Sequence, residues 1–313
     1  MNFSIIIPFY NEEKNIIELN DELTKVLEKI ETNREINFEI LYIDDGSIDN
    51  TFQLLNSLKN KIKTVIIKNF TNLSQSVSIM HGIDNSCYEN IILMDGDLQN
   101  DPKDFEKIID IYIKNNNSIV HGIRTNRMDP YFSKVLPSKI ANFIVRFLTK
   151  SKILDHGCSL KAFNKNIIET QDFFGDFHRL FAAQVDGKIN IIQIDVNHRP
   201  RMNGASNYGF ERVLKILIDI FFLKLTKGKK SYFYTLGIFG IYSFFLSFIS
   251  FMYMIYLKFF EGKSFIETPL PVIVIFFALS GLIFFSISLI LEIIKKLFNE
   301  KTLNKKLYEI IKK

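Results

Sequence analysis

The chain has 313 residues, 47% of them hydrophobic, and a formal net charge of +5. This length allows one large domain or two, and the small positive charge does not indicate nucleic acid as a partner. Its two cysteines, Cys87 and Cys158, show no Cys/His ligand spacing, so they do not indicate a zinc site, and reduced thiols are favoured over a disulfide.

Short apolar runs alternate with helix-like segments over the first 122 residues. The runs predict strands at 3–8, 38–43, 64–67, 90–94 and 118–122. The segments between them predict helices at 14–30, 51–58, 74–83 and 102–112. The less regular stretch 124–207 predicts two more helices and a strand, at about 136–148, 177–187 and 189–196. This alternation predicts an α/β fold with a mostly parallel sheet that is covered on both faces.

Polar residues cluster where three of these strands end. PFYNEE overlaps the end of the first strand, DDGSIDNT follows the second and DGDLQNDP follows the fourth. Ligands of open α/β sheets bind beyond the carboxyl ends of the strands. We therefore expect the three clusters to meet at one edge of the sheet and to form a binding site there.

The cluster after the fourth strand contains Asp95 and Asp97, separated by one glycine, with Gln99 two residues further on. Two carboxylates this close repel each other without a cation, and a hard divalent ion held by them keeps its other positions for substrate phosphates. Asp44 and Asp45, after the second strand, can accept hydrogen bonds from a base or a ribose. The sequence has no G-x-G-x-x-G motif to hold a pyrophosphate, which also favours a metal.

Two segments without a charged residue, Tyr232–Leu257 and Thr268–Leu291, are long enough to cross a membrane as helices. Lysines flank this pair on its outer sides, whereas two glutamates offset the two lysines of the connecting loop. The positive-inside rule then predicts that both termini are cytoplasmic. We expect an α/β domain at 1–209, an amphipathic juxtamembrane helix at 210–230, two transmembrane helices at 231–292 and a basic cytoplasmic tail at 293–313.

The strings IIIPFYNEEKNI, EILYIDDGSIDNT and IILMDGDLQNDP together resemble the family-2 glycosyltransferases with a GT-A fold. Within that family the chain is most similar to the dolichyl- and polyprenyl-phosphate sugar transferases, of the dolichol-phosphate mannosyltransferase type. The resemblance runs from residue 3 to about residue 212, and a trailing pair of membrane helices is common in that group. It implies that Asp95, Asp97 and Gln99 hold Mg²⁺ or Mn²⁺ on the diphosphate of a nucleotide-sugar.

The resemblance also implies roles at the donor site. Four residues would line the nucleoside pocket: Pro8, Tyr10, Glu12 and Asp45. Asp44, beside Asp45, is expected in the same pocket. Five basic residues would lie near phosphates: Arg124, Arg127, His198, Arg199 and Arg201. The loop MNGASNYG, which contains Ser206, would close over the donor, although a plain linker is the alternative. Ser74 departs from the family pattern, because relatives usually carry glycine there, and Asn207 replaces a common lysine.

On the acceptor side, the resemblance implies that His178 and Arg179 contact an acceptor phosphate. Asp176 would be a general base for a hydroxyl acceptor. A lipid phosphate has a second pKa of about 6 and is already ionised near neutral pH, so there Asp176 would only orient the acceptor. The candidate catalytic residues are therefore Asp95, Asp97, Asp176, His178, Arg179 and Arg201.

The expected activity is inverting, metal-dependent transfer of a sugar from a UDP- or GDP-linked donor to a polyprenyl or dolichyl phosphate. The expected location is the cytoplasmic face of a plasma or inner membrane. Two alternatives stay open, namely transfer to a hydroxyl of a glycan or glycolipid, and an inactive membrane scaffold that binds nucleotide-sugar. The DGDLQ and HRPR strings argue against the scaffold. A homo-oligomer also stays open.

Overall fold

A computed structural model describes residues 1–115, 118–125, 136–167, 177–185, 189–200, 232–304 and 308–312. The chain divides into two compact units. The first comprises Met1–Ile220 together with Leu307–Lys313, and the second comprises Phe221–Lys306. The expected juxtamembrane helix at 210–230 lies outside the described residues, so its boundaries stay a prediction.

The described strands of the first unit form one eight-stranded sheet. They are β1 (Phe3–Phe9), β2 (Phe38–Asp44), β3 (Lys63–Asn69), β4 (Asn90–Leu93), β5 (Ser118–Thr125), β6 (Lys161–Asn164), β7 (Asn190–Asn197) and β8 (Tyr308–Lys312). Their order across the sheet is β7-β5-β6-β4-β1-β2-β3-β8. β6 and β8 run antiparallel to their neighbours, and the other strand pairs are parallel. The expected mostly parallel α/β sheet is therefore confirmed.

Helices cover both faces of this sheet. They are α1 (Ile16–Asn33), α2 (Thr51–Ser57), α3 (Gln75–Asp84), α4 (Asp104–Lys114), α5 (Leu136–Thr149) and α6 (Phe177–Val185). Alternate residues of β1 enter two separate apolar clusters: Ile5 and Ile7 pack with Leu19 of α1, whereas Ile6 packs with Ile79 of α3. Both faces of the central strands are thus buried, which explains why these strands appear in the sequence as continuous apolar runs.

The sequence does not predict β6 and β8. β6 has only four residues, and β8 lies in the segment 293–313 that is expected to be a basic tail. The described part of that segment is instead a continuation of the last helix to Asn304, followed by β8. In β8, Ile310 pairs with Ile67 of β3, so residues near the end of the chain cover an edge of the sheet. Covering an edge removes a row of unpaired backbone groups that could bind another strand.

The second unit contains two long helices, α7 (Tyr232–Phe260) and α8 (Leu270–Asn304). Their segments Leu236–Phe260 and Leu270–Leu291 are long and apolar enough to cross a membrane. In the most apolar window of each, only 17% and 11% of the residues are buried, which is unlike the core helix of a soluble protein. The helices approach closely at Gly240, where an added Cβ would lie 3.0 Å from the carbonyl oxygen of Gly281.

Candidate active site

The three polar clusters lie at the same edge of the sheet. Parallel pairing aligns Phe9 at the end of β1 with Asp44 at the end of β2. On the other side of β1, Ile6 is paired with Leu93, the last residue of β4. The turns after β1, β2 and β4 therefore start from neighbouring strand ends, as the sequence predicts.

The turn after β4 fixes the two carboxylates of the DGD motif. Gly96 is required there, because an added Cβ would lie 2.6 Å from the ring of Phe9. Asp95 Oδ1 accepts a hydrogen bond from Gln75 Nε2 at 2.7 Å, and Asp97 Oδ1 accepts one from the Gln99 N–H at 3.2 Å. Each carboxylate thus has one oxygen held by a neighbouring group.

A polar pocket of about 450 Å³ opens in front of these carboxylates. Its lining includes the acidic and amide residues Asp95, Asp97 and Gln99 and the cationic residues Lys161 and Arg179. The remaining lining residues are Gln75, Asn100, Arg124, Gly157, Cys158, Ser159 and His198. The pocket therefore combines groups that can bind a cation with groups that can bind phosphate.

The donor atoms fit a hard divalent metal. The Gln99 amide nitrogen donates to the carbonyl oxygen of Arg199 at 3.3 Å, which leaves the amide oxygen to act as an acceptor. Two carboxylates and an amide oxygen suit Mg²⁺ or Mn²⁺. Among the described residues, no group of three or more His, Cys, Asp or Glu residues is arranged so that it could hold a metal ion by itself. A metal held by so few protein ligands depends on water and substrate phosphates to complete its coordination.

The two carboxylates after β2 have different environments. Asp44 is fully buried, with Oδ1 accepting from the Ser47 N–H at 3.1 Å and Oδ2 lacking a hydrogen-bond partner. Burial raises the pKa of Asp44 above its ordinary value. Asp45 instead accepts three hydrogen bonds, from Asn69 Nδ2 at 2.8 Å and from the N–H groups of Leu73 and Ser74 at 2.9 and 3.1 Å. Of the two, Asp44 has the oxygen without a hydrogen-bond partner, but the protein buries that oxygen, so a contact with a nucleoside stays a prediction.

The loop held by Asp45 leads to the residue that binds Asp95, one of the two candidate metal ligands. Ser74 in this loop has φ 98° and ψ 152°, a conformation that is adopted almost only by glycine. This is the position where the family pattern has glycine. The next residue, Gln75, begins α3 and donates to Asp95. Asp45 therefore positions the loop from which Gln75 reaches the pocket.

Residues 4–171 match a family model described as Glycosyl transferase family 2. The chain belongs to this family. It is therefore a glycosyltransferase, in agreement with the resemblance of its strand-end motifs.

Two curated family members are similar over most of this chain. Dodecaprenyl-phosphate galacturonate synthase of Rhizobium johnstonii is 30% identical over 249 residues, which cover 76% of this chain and 72% of that protein. Undecaprenyl-phosphate 4-deoxy-4-formamido-L-arabinose transferase of Pectobacterium atrosepticum is 30% identical over 228 residues, covering 70% and 66% of the two chains. Both names describe sugar transfer involving a polyprenyl phosphate.

Solved structures show the same fold at low sequence identity. Glucosyl-3-phosphoglycerate synthase from Mycobacterium tuberculosis, in complex with Mn²⁺, UDP and glucosyl-3-phosphoglycerate, matches with a TM-score of 0.51 and 11% sequence identity. The match covers 72% of this chain and 79% of that chain. A mycobacterial protein matches with a TM-score of 0.54 at 13% identity. These matches confirm the GT-A-like α/β fold of this glycosyltransferase.

The residues expected to line the nucleoside pocket lie around the ends of β1 and β2. Pro8 is half-buried within β1, and Tyr10 just after it is exposed. The Glu12 N–H donates to Thr51 Oγ1 at 2.9 Å, which ties the turn after β1 to the start of α2. Their contact with a nucleoside stays a prediction.

Arg124 and Arg199, expected near phosphates, form ion pairs. Arg124 binds Asp155 in a bidentate manner, with Nε–Oδ2 and Nη2–Oδ1 distances of 2.7 and 2.8 Å. Burial would raise the pKa of Asp155, but hydrogen bonds and charge from Arg124 outweigh it and lower that pKa. Arg199 pairs with Glu22 at 2.7 Å and with Asp101 at 2.9 Å. Arg124 lines the pocket, although Asp155 compensates much of its charge, and Arg199 is absent from the pocket lining described above.

The acceptor-side residues are only partly described. Arg179 on α6 lines the pocket, and His178 belongs to the same helix. Four expected site residues lie outside the described residues: Arg127, Asp176, Arg201 and Ser206. Their roles stay predictions.

Lys161 is a pocket residue that the sequence analysis does not identify as a site residue. It lies on β6 and is only 1% exposed. Burial lowers its pKa to about 8, whereas the nearby thiol and carboxylates act in the opposite direction. The only sequence signal for the burial of Lys161 is the set of apolar residues beside it in the string DHGCSLKAF. A strand of four residues is too short for these apolar residues to show a clear alternation.

Proposed function

We propose that this glycosyltransferase moves a sugar from a nucleotide-sugar to a polyprenyl phosphate and that it requires a divalent metal bound at Asp95, Asp97 and Gln99. The observation that carries this proposal is the composition of the pocket. The carboxylates of Asp95 and Asp97 and the amide of Gln99 line the same cavity as Lys161 and Arg179. Such a site can bind a cation and several phosphate oxygens together. A reaction between a diphosphate donor and a phosphate acceptor requires this combination.

The proposed reaction is a single inverting displacement at the anomeric carbon, as the family resemblance implies. The metal would supply electrostatic stabilisation of the leaving diphosphate. Asp95 and Asp97 hold the cation, and Gln75 orients Asp95 through its hydrogen bond. Arg179 and Lys161 supply positive charge in the same pocket. A phosphate acceptor is already ionised near neutral pH, so the chain need not remove a proton from it.

The two polyprenyl-phosphate relatives support a lipid phosphate as the acceptor. The two long apolar helices of the second unit are consistent with a protein that works on a membrane lipid. The donor base and sugar do not follow from the pocket, since the roles proposed for its lining residues concern only the phosphates and the metal.

A direct assay tests this proposal. Purified protein is incubated with polyprenyl phosphate, Mn²⁺ or Mg²⁺ and a panel of UDP- and GDP-sugars, and the lipid products are measured by mass spectrometry. We expect one donor to give a glycosylated lipid phosphate, and EDTA to stop the reaction. Glycosylation of a sugar hydroxyl in a parallel reaction, without any lipid-phosphate product, would contradict the proposed acceptor.

We also propose that the sheet unit and both termini are cytoplasmic. The flanking lysines support this orientation. The return of the chain to the sheet at β8 supports an even number of membrane crossings between β7 and β8.

Impermeant thiol labelling of intact cells can test the orientation. Ser264 lies between α7 and α8, and Ser264→Cys should be labelled from outside. Native Cys87 is exposed on the sheet unit and should be labelled only after permeabilisation, which makes it an internal control. Labelling of Cys87 in intact cells, with residue 264 protected, would invert the proposed topology.

A further inference from the structure

A buried lysine lies among the phosphate- and metal-binding groups of the pocket. On β6, Lys161 is directly opposite Leu93 of β4 on one side and His121 of β5 on the other. Its side chain is 1% exposed, yet it lines the same pocket as Asp95 and Asp97. Lysine is rarely buried in this way unless opposite charges compensate it.

The carboxylates that face Lys161 differ in their other partners. Asp95 and Asp155 both favour its charged form. Asp155 is already bound by the guanidinium of Arg124 through two hydrogen bonds. Cys158 is adjacent too, but burial raises its thiol pKa to about 12, so it stays neutral at physiological pH. Among the described residues, Asp95 is therefore the main compensating charge for Lys161 that is not paired with another cation.

Asp95 is also a candidate metal ligand, so Lys161 and a metal ion would share the same negative charge. A divalent ion at Asp95 and Asp97 lies in a pocket with a buried ammonium group, and the two positive charges repel each other. A diphosphate removes this conflict, because its oxygens can bind the metal on one side and the ammonium on the other. Without a diphosphate, the metal ion and the Lys161 ammonium group disfavour each other. Once the diphosphate is bound, its negative charge stabilises both.

We propose that Lys161 binds a phosphate oxygen of the donor diphosphate and thereby couples metal binding to diphosphate binding. This inference rests on the proposed function, namely on a metal and a nucleotide-sugar occupying the pocket. In the empty pocket the ammonium compensates Asp95 and weakens metal binding. In the loaded pocket it compensates the diphosphate, including the negative charge that this group gains when its bond to the sugar breaks.

Binding measurements can separate this role from a structural one. Mn²⁺ affinity of the purified full chain is measured at pH 7 by electron paramagnetic resonance, without and with saturating UDP, for wild type and Lys161→Met. For wild type, we expect UDP to tighten Mn²⁺ binding at least about tenfold, within the usual range of coupling between sites. For Lys161→Met, we expect tighter Mn²⁺ binding without UDP and a loss of about tenfold in the coupling.

Lys165→Met is the matched control. Lys165 follows β6 and donates to the Ser86 carbonyl at 3.3 Å, so its loss should leave the Mn²⁺ affinities and the coupling at wild-type values. Lys161→Gln serves as a second variant if the methionine variant does not fold, and it should give the same direction of change. Thermal unfolding of each variant shows whether the protein that is measured is folded.

The outcomes distinguish this inference from the proposed function. Wild-type protein that binds no Mn²⁺ either with saturating UDP or, in a parallel titration, with saturating GDP would overturn both. Wild-type coupling that persists unchanged in folded Lys161→Met would overturn the role of Lys161 and leave the proposed function standing. The same unchanged coupling with an increased KM for polyprenyl phosphate would place Lys161 at the acceptor instead of the diphosphate.

Discussion

The ends of β2 and β4 carry similar acidic motifs but use them differently. Asp95 and Asp97 after β4 face a pocket that also contains cationic side chains. Asp45 after β2 uses its oxygens to hold the loop before α3, and Asp44 is buried beside it. Gln75 at the start of α3 then binds Asp95. The comparison teaches that Asp45 builds support for the carboxylates after β4, and that hydrogen-bond partners, not the motif, determine which acidic pair lines the pocket.

The largest effect on activity is expected at the end of β4. Asp97→Ala should lower the transfer rate by about 10³-fold or more, because a catalytic metal contributes several kcal/mol to transition-state stabilisation. The protein should remain folded, since removing one of two repelling carboxylates relieves the metal-free state. Steady-state rates with Mn²⁺ and a thermal unfolding curve check both parts. Full turnover of EDTA-treated wild type would show that the pair does not serve a metal.

At the end of β2, the largest expected effect is on stability. Asp45→Ala leaves the Asn69 amide and the N–H groups of Leu73 and Ser74 without their acceptor. We expect a decrease of about 2–4 kcal/mol in the free energy of unfolding, because unsatisfied buried donors cost about 1–3 kcal/mol each and partial relaxation recovers some of it. Asp45→Asn, which keeps one acceptor oxygen, should lose less. Equal stability of wild type and both variants in denaturant titrations would remove the distinction between the two strand ends.

A smaller and pH-dependent effect is expected at Asp44. Burial raises its folded-state pKa, so the folded protein binds this proton more tightly than the unfolded chain does. The stability that this group contributes is then present below its unfolded pKa of about 3.9 and is lost as pH rises through the folded pKa. Asp44→Asn should therefore be more stable than wild type at pH 7, and the difference should disappear near pH 4. If Asp44 binds the nucleoside, the variant should also bind UDP about tenfold more weakly, as loss of a charged hydrogen bond implies.

The smallest effect is expected at Ser74, in the loop between the two acidic pairs. Its φ of 98° strains any residue with a Cβ. Ser74→Gly should raise the free energy of unfolding by about 1 kcal/mol, the lower end of the cost of such a conformation. Denaturant titration measures this gain, and Ser76→Gly within α3 provides a control that should lose stability. A destabilised Ser74→Gly would show that the serine side chain stabilises the loop more than its backbone strains it.

Much of this site could be predicted from sequence because its carboxylates follow regular strands. Buried parallel strands give unbroken apolar runs, so their carboxyl ends and the attached Asp44, Asp45, Asp95 and Asp97 can be located. The partners of Arg124 and Arg199 could not be predicted, since Asp155 and Glu22 are distant in sequence. Lys161 could not be placed either, because its burial depends on the insertion of β6 between β4 and β5. Such antiparallel insertion is a tertiary feature without a local periodic signal.

The pairing of β8 with β3 has a consequence for how the protein is made. The strand at 308–312 completes a sheet edge whose other half, Lys63–Asn69, leaves the ribosome far earlier. At a synthesis rate of about 5–20 residues per second, the roughly 240 intervening residues correspond to on the order of ten seconds to a minute. During that interval β3 is an uncovered edge, while both apolar helices are still being produced. Pairing of β8 with β3 can therefore occur only after both apolar helices have been synthesised, so the edge of the sheet is covered later than the two candidate membrane spans are made.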